Sequence, residues 1–478
     1  MLFNSFEFLV FFIALVIVYF SINSKYRWML LLAASYYFYM SWKAEYILLI
    51  LFTTAVSYFC SIWMQSAETL PKRRRILIFS LVVNLGVLFF FKYFNFLYDG
   101  VRDVLSSYSI QYEYAGLDIL LPLGISFYTF QTIGYNLDVF YQVRKPEKHF
   151  GIFALYVSFF PQLIAGPIER STELLPQFYK EHKYDSQRIF NGIKYIIWGL
   201  FKKLVIADRL VPSVNEAFSH TEMYSGSTML FASLLFAIQL YADFSAYSEI
   251  AKGLAKILGY KLMDNFNHPF ISKNITEFWR RWHISLSFWL RDYLYTPILF
   301  SKKKWGKWAI VYSLLITFTL VGIWHGTRIN FVILGLLQAV ALIFEMFTKK
   351  FRKKLSKAMP KGIYNRLSMI ITLIYILYSF SFFKAKTFQD SLNISKSLFS
   401  SLFDYLNLKN FILNMGYERF LFTLLLVLVF ILSDQWIFKK VKEEKSSLAN
   451  SLILFPFLIA CTFIFGYFGE VEFIYFQF

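Results

Sequence analysis

The chain has 478 residues, of which 57% are hydrophobic and 21% aromatic, but only 17% are charged. Soluble globular chains carry about 25% charged residues, so this composition excludes a soluble nucleic-acid enzyme, a disordered chain and a secreted disulfide scaffold, and makes the bilayer the first solvent to consider. The formal net charge of +19 does not point to nucleic acid, because Lys and Arg stand in short runs between apolar segments, as on the cytoplasmic loops of a membrane protein. Cys60 and Cys461 both lie inside apolar stretches and read as buried thiols rather than as a disulfide or a metal pair.

In chain order, apolar stretches fall at 8–22, 28–42, 46–64, 76–91 and 117–141, then at 190–207, 228–248, 308–325, 330–348, 367–383, 419–438 and 451–469. Each approaches the length that crosses hydrocarbon with some tilt. They predict an all-α, polytopic integral membrane protein of about 11–12 transmembrane helices, built as one membrane domain over 1–478, with re-entrant and interfacial helices in addition. The stretch 151–166 is the best candidate for a re-entrant half-helix. The first segment lacks a basic lead and a small-residue cleavage site, so it is expected to be a retained helix rather than a signal peptide. Residues 167–190 are polar and mixed in charge, and 252–307 mix Arg, Trp, Lys and Asn with apolar residues, as interfacial helices do. No internal repeat is evident, and none of the Walker, Rossmann, HExxH or GxSxG patterns occurs.

The basic residues give an orientation. Lys25 and Arg27, the run Lys72 to Arg75, and Arg144, Lys145 and Lys148 follow the first, third and fifth stretches, whereas the alternate loops hold only Lys43, Lys92 and Arg102. This places the N-terminus outside the cytoplasm. The alternation persists: the loop 211–227 has no Lys or Arg, while KKFRKKLSKAMPKGIYNR at 349–366 and KKVKEEK at 439–445 are strongly basic.

Among six histidines, His149, His182 and His220 lie in polar loops and read as solvated, and His268, before Pro269, reads as support for a turn. His325 ends the apolar run IVYSLLITFTLVGIW, where an ionisable group is costly unless it works. A neutral imidazole there is a suitable general base. A purely structural, hydrogen-bonded histidine is the competing reading. Gly322 and Gly326 beside it would let a backbone or a substrate approach closely. His283 lies in ITEFWRRWHISLSFWLRDYLY, where helical spacing sets Thr276, Trp279, Arg280 and Ser287 on its face. That segment suits either an interfacial helix or a site for the polar head of an acyl donor, with Arg280, Arg281 and Trp282 as the binding candidates. Asp243 and Glu249 are read as structural carboxylates, with Arg280 and Arg281 as the available basic partners. No Ser or Cys stands in a recognisable nucleophile setting.

Taken together, PLGISFYTFQTIGYNLDVF (121–140), FFPQLIAGPIER (159–170), YADFSAYSEIAKG (241–253), NFNHPFISKNITEFWRRWHISLSFWLRDYLY (265–295), GIWHG (322–326) and the ending EFIYFQF resemble the membrane-bound O-acyltransferase family. The nearest branch is that of the alginate and peptidoglycan O-acetyltransferases. The resemblance runs along the whole chain, with a motif core at about 117–348. It implies a ring of helices around a thinned centre, with His325 as the acyl-transfer base and His283 as the second functional histidine. It also implies acetyl-CoA as the donor substrate with no bound cofactor and no metal, a polysaccharide acceptor, an exported SGNH-type acetyltransferase as partner, and a place among the lipids of a bacterial cytoplasmic membrane.

Two other classes compete. A D-alanyl transferase fed by a carrier protein belongs to the same family but lies farther from these motifs. A polysaccharide or lipid-linked sugar transporter would ordinarily show symmetry-related broken helices, and none is seen.

Overall fold

The computed structural model describes residues 1–108, 120–401, 403–443, 448–469 and 471–474, the backbone alone for 448–452. Residues 117–119 of the fifth apolar stretch, Glu444 and Lys445 of the last basic run, and the final residues of EFIYFQF lie outside them. Among the described residues there is helix and no strand, and each of the twelve apolar stretches falls on a helix. They group into two compact units, Met1–Ile193 with Ala251–Met263, and Lys194–Ile250 with Asp264–Phe478.

The first unit contains α1 (Phe6–Ser21), α2 (Arg27–Met40), α3 (Ile47–Ser66), α4 (Leu70–Ser107), α5 (Ile125–Phe140) and α6 (Phe150–Ser158). Helices α3, α4 and α5 are joined by a buried polar seam. Asn84 Nδ2 donates to Ser57 Oγ (3.2 Å) and to the Ser80 carbonyl (2.8 Å), and Asn136 Nδ2 donates to Ser80 Oγ (2.8 Å). Such bonds hold helices together where lipid removes the hydrophobic drive between them. Helix α4 was expected to end near residue 91, but it continues to Ser107. The extension has no Pro to stop it, and it carries Phe89–Tyr93 and Phe94–Tyr98 ring pairs and an Asp99–Arg102 ion pair one turn apart.

The expected half-helix at 151–166 is broken into α6 and the turn Phe160–Leu163. The break sits at Phe159, ahead of Pro161, and its freed backbone groups find side-chain partners. Phe160 N–H donates to Ser35 Oγ (3.1 Å), while Gln131 Nε2 (2.6 Å) and Gln162 Nε2 (3.2 Å) donate to the Tyr156 carbonyl. Irregular backbone inside a membrane protein requires this kind of compensation.

Helix α7 (Ser186–Phe201) leads into a wide π-type turn, Lys202–Ala207, then α8 (Asp208–Ser219) and α9 (Gly226–Leu258). Residues 211–219, expected as loop, are therefore helical. Next come α10 (Ile275–Trp279), α11 (Ile284–Leu290), α12 (Lys307–His325), α13 (Ile329–Phe347), α14 (Lys361–Lys384), α15 (Phe388–Ser400), α16 (Tyr405–Met415), α17 (Tyr417–Lys442) and α18 (Leu448–Phe465). In the second unit, α12 and α13 form a close pair. A Cβ on Gly335 would run into the Phe318 carbonyl oxygen, and one on Gly322 would lie 2.8 Å from Val332 Cα, so the glycine beside His325 serves the approach of another backbone.

Among the described residues, seven helices are long and apolar enough to cross a membrane: α4, α9, α12, α13, α14, α17 and the stretch Ala44–Ser66 that contains α3. The other expected crossings are shorter. Helices α1 and α5 have 16 residues and α2 has 14. At about 1.5 Å per residue these fall short of the roughly 30 Å hydrocarbon core.

Candidate active site

His283 was expected on a helical face, but it stands in the break between α10 and α11, with backbone in the left-handed region (φ 42°). Helix α10 starts at an Asn274 cap, which accepts from Glu277 N (2.8 Å). The helix then stops because the chain pairs with the extended segment before Pro269: Asn267 N donates to the Arg281 carbonyl (2.9 Å) and Ile284 N to the Asn265 carbonyl (2.9 Å). This clamp sets the histidine. Asn265 Oδ1 accepts from Ser285 N (3.2 Å) and Ser285 Oγ (2.9 Å), and Asn265 Nδ2 donates to Ser248 Oγ (3.2 Å), which fixes which end of the amide is oxygen. His283 Nδ1, 3.2 Å from that same oxygen, therefore carries the proton, and the lone pair lies on Nε2. Burial pushes the imidazole down to about 3, so it is neutral at physiological pH. Its ring stands edge-on to Phe244, centroids 4.8 Å apart.

His325 closes the C-terminal end of α12, with Trp324 and Phe383 rings at 4.7 and 5.3 Å. His283 and His325, distant in sequence, line one cavity of about 50 Å³. Trp282 lines it as well, backed by Phe278 in a near-parallel stack at 5.6 Å. The remaining wall is aliphatic and aromatic, including Phe244, Leu286 and Phe380. The exception is Gln338, whose carboxamide is bonded to Trp279 and Ser379. No carboxylate and no lysine or arginine is among the lining residues.

The structure does not bring Arg280 and Arg281 into the cavity wall. Arg280 is exposed, and Arg281 forms an ion pair with Glu277 (2.9 Å) and donates to the Asn267 carbonyl (3.1 Å). Nor are they the partners of the buried carboxylates. Lys202 Nζ lies 2.7 Å from Glu249, and Lys203 Nζ 2.8 Å from both Asp243 and Asp208. The reason is local: the π-type turn aims two successive lysines at α9. The successive Lys202 and Lys203 inside the apolar stretch 190–207 were the overlooked signal, since intramembrane charges require partners.

His268 does support a turn, in the left-handed region before Pro269, and also pairs with Asp434 (2.7 Å), which accepts from Tyr241 OH (3.0 Å). His149 caps α6 by accepting from Ile152 N (3.2 Å), and His182 and His220 are partly buried at surface positions. Cys60 and Cys461 are free thiols. Among the described residues no cluster of His, Cys, Asp and Glu could hold a metal ion.

A multi-pass helical protein with two histidines on one embedded cavity fits an acyl-transfer enzyme of the membrane, and comparison with known proteins gives its class. The model of the membrane-bound O-acyltransferase family matches residues 139–385, and the chain belongs to that family; it is an O-acyltransferase. It is similar to a probable alginate O-acetylase of Pseudomonas aeruginosa, 37% identical over 84% of this chain and 75% of the relative. A peptidoglycan O-acetyltransferase of Helicobacter pylori is 34% identical over 77% and 73%. A teichoic acid D-alanyltransferase of Bacillus subtilis is 32% identical, but over only 56% of this chain and 69% of the relative.

Proposed function

We propose that this chain moves an acetyl group from a cytoplasmic thioester, acetyl-CoA, across a bacterial cytoplasmic membrane for O-acetylation of a cell-surface or extracellular polysaccharide of the alginate or peptidoglycan kind. The observation that carries the reading is that His283 and His325 line one small apolar cavity. A volume of about 50 Å³ compares with about 150 Å³ for a dry cavity that takes benzene and about 30 Å³ for one water's share of the liquid. It suits a short, uncharged acyl group. The O-acetylating relatives, which cover more of the chain than the D-alanylating one, support the same choice.

In this scheme His325 takes the proton of an acceptor hydroxyl as its oxygen bonds to the thioester carbonyl carbon. The carbonyl π pair moves onto oxygen and returns as the C–S bond breaks, and the thiolate leaves with the proton that His325 held. The products are an ester and free thiol. In this reading exposed Arg280, outside the cavity wall, and Arg281, once released from Glu277, meet the anionic head of the donor, while Trp282 frames the acyl end. Because a bulky polymer cannot enter a cavity of about 50 Å³, the acyl group is passed outside to an exported transferase of the SGNH type with a Ser-His-Asp site.

The second reading, D-alanyl transfer, rests on the teichoic acid relative. An ammonium group in the cavity would meet no carboxylate in its lining and would be left uncompensated. Two measurements test the proposal. His325→Ala is expected to abolish polymer acetylation without lowering membrane expression, and retained acetylation refutes the scheme. The purified chain given acetyl-CoA and polymer alone is expected to hydrolyse the thioester without acetylating the polymer, and efficient polymer acetylation would overturn the relay.

A further inference from the structure

We infer that Gln338 is a further catalytic residue, whose side-chain N–H donates to the thioester carbonyl oxygen in the cavity shared by His283 and His325. The inference rests on the acyl-transfer reading above. Gln338 sits in the middle of the spanning helix α13, is 2% exposed and lines that cavity. A carboxamide at such a depth needs every polar atom satisfied or employed.

The orientation of the amide follows from its partners. Trp279 Nε1, which can only donate, lies 3.2 Å from Gln338 Oε1, so this end is the oxygen. Nε2 then donates to Ser379 Oγ (2.9 Å), whose own proton goes to the Ile376 carbonyl (3.0 Å). These bonds use one lone pair of the oxygen and one N–H of the amide. The second N–H is held in the same plane by the other two contacts, on a residue whose surface faces the cavity. No other lining side chain offers an amide donor. As the hydroxyl oxygen bonds to the carbonyl carbon, charge develops on the carbonyl oxygen, and a fixed donor in a water-poor cavity is worth most at that moment. The pair on oxygen re-forms the carbonyl bond as the C–S pair leaves on the thiolate, so Gln338 gains and loses no proton.

The competing role is interhelical glue between Trp279 and Ser379. Kinetics on the purified full chain, with acetyl-CoA hydrolysis as the assay, separate the two. Gln338→Leu is expected to lower kcat about 10²- to 10³-fold with little change in KM, as loss of one such donor does. Gln338→Glu, of equal size but anionic, is expected to be at least as impaired. Trp279→Phe and Ser379→Ala loosen the amide without removing it and are expected to cost about tenfold, again in kcat. Should Gln338→Leu not fold, Gln338→Glu and the two partner variants decide. Folded variants with kcat within about threefold of wild type, or with a loss confined to KM, overturn the inference. An inert wild-type protein, or His325→Ala with full turnover, counts instead against the acyl-transfer reading itself.

Discussion

Lys203 Nζ lies 2.8 Å from Asp243 Oδ1, and both side chains are buried. The same ammonium meets Asp208 and donates to the Glu472 carbonyl (3.3 Å), and Ile474 N donates to Asp243 Oδ2 (2.7 Å). One lysine therefore compensates two carboxylates and tethers the chain near its end. Replacing Lys203 by Met leaves both anions buried without a counter-charge, a change that costs about 3–5 kcal/mol for a single broken pair. Asp243→Asn is expected to be milder, because Lys203 keeps Asp208. Thermal unfolding of the detergent-purified variants checks the order; equal melting temperatures for Lys203→Met and wild type would show the cluster to be dispensable.

The α12–α13 pair depends on its glycines. A Cβ on Gly335 collides with the backbone oxygen of Phe318, which cannot move aside as a side-chain tip could, whereas a Cβ on Gly86 in α4 meets nothing within 4 Å. Gly335→Ala is expected to destabilise by about 1–3 kcal/mol and to lower activity, since His325 ends the displaced helix. Gly86→Ala is expected to be neutral or stabilising by up to about 1 kcal/mol. Melting temperatures and turnover of the two variants, measured side by side, test this.

Cavity size should set acyl-chain length. Leu286 lines the cavity beside Trp282 and is 1% exposed. Leu286→Ala opens space at a stability cost of about 2–5 kcal/mol. The expected result is a higher propionyl-to-acetyl ratio of kcat/KM in the variant than in wild type, read with the two CoA thioesters. An unchanged ratio in a folded variant would show that the cavity is not the acyl pocket.

The helices were legible in the sequence because long apolar runs bounded by basic residues have one good solution in a bilayer. What was not legible is how segments end. Nothing in WRRWHISLS announces a break at His283, because the break is made by Asn265 and Asn267 from a separate segment. Likewise Asp243 and Glu249 were expected to pair with the arginines nearest in character, but the π-type turn after α7 delivers Lys202 and Lys203 instead. Motifs marked His283, His325 and Trp282 as site residues; Gln338 sits in an apolar run without a motif, and only the cavity reveals it.

Charge alternation carries a topological expectation. A reporter at Lys354, in the basic stretch 349–366, should face the cytoplasm, and one near Ser225 should face outside. Both positions are solid ground for the assay, since Ser225 precedes α9 and Lys354 follows α13. Reversed signals at Lys354 would invert the map and, with it, the side from which the donor approaches Arg280.

The contact between Asn265 Oδ1 and His283 Nδ1 yields a prediction about pH. Asn265 holds the proton on Nδ1 and leaves the lone pair on Nε2, while burial keeps the ring neutral, with its titration near 3. Wild-type activity should therefore show no His283 limb above about pH 5, two units beyond that value. Asn265→Asp puts a carboxylate against Nδ1, which favours the imidazolium and raises the titration point. The protonated ring loses its Nε2 lone pair, so activity should fall as pH decreases through the raised value and recover as pH increases. Asn265→Leu removes the orienting acceptor without adding charge and should lower activity at all pH values alike. The pH–rate profiles of the three proteins distinguish these cases, and an acid limb absent from a folded Asn265→Asp variant would reduce His283 to a scaffold residue.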